Sequence, residues 1–280
     1  MNYRTRRKLV SGFLIGTPLV IITSFTLFPI YWTIVTSLKL ENHIQHRPVL
    51  YFPPEPTFKH FIFSWQAVKL GTYFMNSTIV ALLSMLFVVI LAVMAAYPIT
   101  RFNFKGKKVV LLSMLATQFL PQAMLLIPLF LIFVRIGIIN TLACVVIAVV
   151  AFQFPFITVL MTGFMSRVPH EIEEAARIDG CNRVQSIIHI VLPMLIPGIV
   201  AAGSFAFIDG WKEYLFPLMF IMDSSKYTLS VGLASMITEF RTSFGPIAAG
   251  CVIAMTPPIL LFAYMQRYLV SGLSTGAVKG

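Results

Sequence analysis

Apolar residues run along this chain in six stretches, near 12–38, 74–100, 109–134, 142–166, 194–222 and 246–270, with polar residues gathered between them. A helix of about 20 apolar residues crosses the hydrocarbon core of a bilayer, and every stretch reaches that length. The pattern predicts an all-α, polytopic membrane protein with six transmembrane helices. The gaps at 39–73, 167–193 and 223–245 are the longer ones, yet none has room for a soluble domain. Residues 1–280 therefore read as a single transmembrane domain. Proline recurs inside the stretches, at Pro18, Pro29, Pro121, Pro128, Pro155, Pro197, Pro217, Pro257 and Pro258. Each removes a helix hydrogen bond that lipid cannot replace. Either kinked spans move around a translocation path, or the prolines shape static packing.

Composition rules out a soluble globule. The chain is 58% hydrophobic and 11% charged, against about 25% charged in a soluble domain. The net charge of +11 raises the question of nucleic acid, but basic residues gather in the cytoplasmic loops of membrane proteins. With the N-terminus inside, segments 1–11, 101–108, 167–193 and 267–280 hold 13 Lys and Arg, and the opposite loops hold 7. The bias places both termini in the cytoplasm, with no nucleic-acid role. Arg4, Arg6, Arg7 and Lys8 precede an apolar run too long for a secretory signal, so it reads as a retained first helix. Cys144, Cys181 and Cys251 are far apart and form no metal or disulfide pattern.

Several enzyme patterns nearly match and fail on context. Gly272, Ser274 and Gly276 have the spacing of a nucleophile elbow, with no acid and His after them. His170-Glu171 begins a zincin motif but has Glu174 where the second His belongs. Residues 245–251 have the spacing of a phosphate loop without its Lys. The chain is expected to bind no cofactor or metal and to catalyse no covalent chemistry.

The stretch 169–193 reads as a helix-turn-helix on the cytoplasmic face. Acids fill the first turn of its first arm, where the helix dipole favours them. Asp179-Gly180 breaks that arm, and Val184, Ile187, Ile188 and Val191 recur at helical spacing in the second. Glu174-Ala175-Ala176, then Gly180, Ile190 and Leu192-Pro193, match at every position the EAA loop that they resemble, that of ABC-importer permease subunits. Residues 226–233, 266–270 and 272–280 are similar to the MalG-type subunit of carbohydrate importers. The resemblance implies that Glu174, Ala175, Ala176, Arg177, Asp179 and Gly180 dock on an ATPase dimer that uses ATP and magnesium. Ile190, Leu192 and Pro193 would support the membrane entry. It further implies a second permease subunit, an extracytoplasmic solute-binding protein, a sugar substrate and a bacterial plasma membrane. Segment 272–280 would reach toward the ATPase interface, and the loop 223–245 toward the binding protein.

The fifth stretch carries Asp209, Trp211, Lys212, Glu213 and Tyr214. An ionisable residue at mid-bilayer costs about 2.5–3.5 kcal/mol on insertion scales, so such groups face protein or water. Asp209, Lys212 and Glu213 can share a helical face. They form either an ion pair locking the helix to a partner or, with Trp211 or Tyr214 stacking on a sugar ring, part of the substrate path. Gln153 is a further buried polar candidate for the path or for a bridge between helices. A secondary active transporter driven by an ion gradient is the alternative, and would need Asp209 or Glu213 as its ion site.

Overall fold

The computed structural model describes residues 3–237 and 243–274, with side chains over 14–237 and 243–266. All regular elements among the described residues are helical. Leu14–Leu38, Leu70–Arg101, Leu142–Met165, Arg183–Lys212 and Phe244–Gln266 are each long and apolar enough to cross a membrane. A sixth crossing is possible by a bent pair, Lys107–Thr117 with Gln122–Arg135, broken at 98°.

The predicted span 109–134 is thus not one helix. The residue at i−4 from a proline loses its helical hydrogen bond and meets the ring. For Pro121 that residue is Thr117, and α5 (Lys107–Thr117) stops there. The chain turns through Gln122–Leu125 into α6 (Leu126–Arg135). The stretch 194–222 divides by the same rule. For Pro217 the residue at i−4 is Glu213, and α10 (Leu192–Lys212) stops just before it, to resume as α11 (Leu215–Phe220).

Contacts divide the chain into two compact units. The first comprises Met1–Leu70 and Ser235–Met255. In it, α1 (Tyr3–Leu38) is followed by the short α2 (Glu41–Ile44) and by α3 (Lys59–Gln66). Lys39 is buried over the Trp32 ring, with its ammonium on the Leu50 carbonyl, and burial lowers its pKa. The Glu41 carboxylate accepts the Phe244 and Gly245 amides at 3.0 and 3.3 Å, capping the start of α13 (Phe244–Ser274).

The second unit, Gly71–Ala234 with Thr256–Gly280, holds the larger core. Lipid offers no hydrophobic drive between helices, so they associate where small side chains let backbones approach. On α10, Gly198, Ala202, Ala206 and Gly210 recur every fourth residue, and all are buried. A Cβ on Gly210 would lie 3.1 Å from the Ala81 Cα of α4 (Leu70–Arg101), and one on Gly198 would lie 2.6 Å from the Phe164 ring of α7 (Leu142–Met165). Val88, Ala92 and Ala96 of α4 and Ile157, Met161 and Met165 of α7 complete this packing.

Candidate functional site

The hairpin at 169–193 is encoded almost entirely by its own residues. Helix α8 (His170–Ile178) has Glu171 and Glu173 in its first turn and Arg177 in its last, matching charge to the helix dipole. Its end is a Schellman motif. The Gly180 amide donates to Arg177 O at 3.2 Å and the Cys181 amide to Ala176 O at 3.0 Å. Gly180 has φ +93°, a value open to glycine. A capping box between Asn182 and Gln185 then starts α9 (Arg183–Ser186). A π-helical turn, Ile187–Val191, leads into α10, its register shown by the Leu192 amide on Ile187 O.

The sequence-predicted docking residues divide between two faces. Glu174, Ala175, Arg177, Asp179 and Gly180 are exposed. Ala176 is not: it is 5% exposed and packs inside the chain, because it stands three residues after Glu173 on the inward face. Ile178, which the motif does not include, is 86% exposed, next to Cys181, Asn182 and Arg183 around an open hollow. Its signal in the sequence was an apolar residue among charges at a helix end. Pro193 is exposed, and Ile190 and Leu192 are half-buried at the start of the span.

Glu173 is the inward anchor. It accepts hydrogen bonds from the Tyr97 hydroxyl and from Arg101 Nε, the latter at 2.8 Å, while Arg101 Nη2 donates to Val168 O at 3.2 Å. The hairpin therefore lies against the C-terminal end of α4. That end opens the basic segment 101–108, so two segments that charge assigns to one side of the membrane are together.

The charged cluster of the fifth stretch is divided between two sets of partners. Asp209 and Lys212 pair at 2.7 Å, both partly exposed, near the end of α10. Glu213 stands at the end of the helix, where ψ 129° turns the following chain away, and its carboxylate is engaged elsewhere. Its carboxylate accepts the Gln122 amide at 2.9 Å through both oxygens and the Phe216 backbone amide at 3.0 Å. Gln122 and Glu213 thus join the two proline-coded breaks. Trp211 is 5% exposed, stacked on Phe207 at 5.9 Å and in a T-shaped contact with Phe74 at 5.1 Å between ring centroids, so the ring is buried within the chain. Tyr214 remains 37% exposed. Gln153 is buried, with its amide 3.5 Å from Ala206 O, a bridge from α7 to α10.

Beyond these helices, Asn140, at φ +61°, accepts the Met222 and Asp223 amides at 3.0 and 3.1 Å and takes Lys226 Nζ on its carbonyl. The Ser225 amide and hydroxyl lower the pKa of Asp223. This is a stiff turn within the predicted loop 223–245. Residues 238–242 of that loop, and 275–280 of the C-terminal segment expected near the ATPase, lie outside the described residues.

A family model described as the binding-protein-dependent transport system inner membrane component matches residues 88–275. The sulfoquinovosyl glycerol transport system permease protein SmoH of Agrobacterium fabrum is 32% identical over 97% of each chain. The melibiose/raffinose/stachyose import permease protein MelC of Bacillus subtilis is 32% identical over 90% of this chain and 91% of its own. Among solved structures, a chain of a bacterial ABC transporter that imports the acidic polysaccharide alginate superposes with a TM-score of 0.82 at 20% identity, over 96% of this chain and 99% of that one. That likeness concerns the fold.

Proposed function

The chain belongs to the family of binding-protein-dependent transport system inner membrane components, and on that premise we propose that it is a permease subunit of a bacterial ABC importer for a carbohydrate. The substrate class is supported by relatives whose names specify a sulfoquinovosyl glycerol and the oligosaccharides melibiose, raffinose and stachyose. The path is shared with a second permease subunit, fed by an extracytoplasmic solute-binding protein, and driven by ATP and magnesium bound on a separate ATPase dimer. Both termini lie in the cytoplasm, a reading supported by the bias of Lys and Arg.

One observation carries the coupling role. Helix α8 is fastened by a buried carboxylate on one face and presents Glu174, Ala175, Arg177 and Ile178 on the other. Leaving Ile178 bare is unfavourable for an isolated cytoplasmic hairpin, and an ATPase cleft that covers it would use it as an apolar anchor between charges that fix register. Ile178→Asp should leave insertion and assembly with the second permease intact while cutting uptake about tenfold or more, as loss of an interface anchor does. Normal uptake by a correctly assembled Ile178→Asp transporter would exclude this docking face.

A further inference from the structure

Helix α8 has two buried side chains, Glu173 and Ala176. Ala176 contributes a methyl group to packing; Glu173 contributes the directional contacts. Its two oxygens are taken separately, one by the Tyr97 hydroxyl and one by Arg101 Nε. Tyr97 and Arg101 are one turn apart at the end of α4, so a single carboxylate is gripped from two levels of that helix. The Arg101 guanidinium also holds Val168 O, just before α8 begins. Nearby, the Arg183 guanidinium, in the hairpin's second arm, lies 4.9 Å from the centre of the Phe102 ring. Both arms therefore rest on the last turn of α4 and the residue that follows it.

The Arg101 and Glu173 side chains are 5% and 7% exposed. A pair so dry gains little net stability over apolar residues of the same volume, because desolvation offsets the attraction. It does supply orientation. A planar guanidinium that gives Nε to a carboxylate and Nη2 to a backbone carbonyl has a narrow range of productive angles, whereas apolar surfaces can slide past one another.

We infer that Glu173, Arg101 and Tyr97 are positioning residues that form a joint, through which displacement of α8 by the ATPase is passed to α4 and so to the membrane core. The inference rests on the docking role proposed above for the outward face. A joint that slips lets the ATPase turn over without moving the span.

The test uses the assembled transporter in proteoliposomes, with its own binding protein purified together with the sugar it retains. Complex yield and ATPase activity with and without that protein are measured. Arg101→Met or Glu173→Met alone should lower yield by leaving one buried charge unpaired. The double variant Arg101→Met/Glu173→Met should recover yield, yet lose about tenfold in the ratio of stimulated to basal ATPase, the size of an ordinary coupling energy. A double variant with the wild-type ratio overturns the joint. If the double variant assembles poorly, Tyr97→Phe decides, because it removes one hydrogen bond and keeps the ring. A loss of about threefold or more in the ratio supports the joint, and an unchanged ratio overturns it. Ile178→Asp, run in parallel, separates this idea from its premise. If that variant transports normally the docking face fails and the joint with it, whereas if it uncouples and the joint variants do not, only the joint fails.

Discussion

Trp211 shows how far the reading of a residue depends on neighbours in space that the sequence hides. An aromatic ring beside charges in an apolar span suggests a platform for a sugar, but Trp211 is buried within the chain, stacked on Phe207 and in a T-shaped contact with Phe74. Trp211→Ala is therefore expected to destabilise the subunit by about 3–5 kcal/mol, through lost burial and the cavity left behind. Thermal unfolding of the purified complex measures this, and a variant of normal stability with weakened sugar affinity would reverse the assignment. Glu213 and Glu173 were hidden for a related reason. Their partners Gln122 and Arg101 stand 91 and 72 residues away in the chain. A single sequence carries no signal linking such positions.

At the scale of elements, more was legible. The end of α8, the Gly180 turn and the capping box rest on hydrogen bonds that each link residues no more than five positions apart, and the hairpin predicted at 169–193 is present. The helix breaks before Pro121 and Pro217 were not legible, because Pro98, Pro155 and Pro197 stand inside helices that continue past them. The spacing of small residues on α10 gives an element-level prediction. Gly198→Ala places a methyl group where the Phe164 ring stands, and should cost about 1–3 kcal/mol by overpacking. Gly163→Ala meets nothing within 4 Å and replaces a poor helix former by a good one, so it should be neutral or stabilising. Equal melting temperatures for the two variants would mean that α7 and α10 do not pack through this ladder.

For the whole molecule, the relevant contrast is the source of energy. Gradient-driven uptake needs an acid that can take and release an ion within the membrane. Asp209 is instead paired with Lys212, and Glu213 is held by Gln122 and a backbone amide. Uptake in cells should persist when proton and sodium gradients are collapsed while ATP is maintained; its disappearance, with ATP verified, would favour a gradient-driven carrier. Apolar run lengths made the membrane-spanning helices readable, since they are summed over many residues. They could not reveal the interruption of the third span or which face of the hairpin turns inward.

The π-helical turn at Ile187–Val191 also sets an angle. Such a turn holds one residue more than an α-helical turn, and each residue of an α-helix advances the chain by about 100° around its axis. The arm before the turn and the span after it are therefore out of phase by roughly that amount compared with an uninterrupted helix. The hairpin's compass bearing relative to the membrane span is thus written in a single surplus residue, and the bearing decides whether Glu173 meets Arg101 or swings past it.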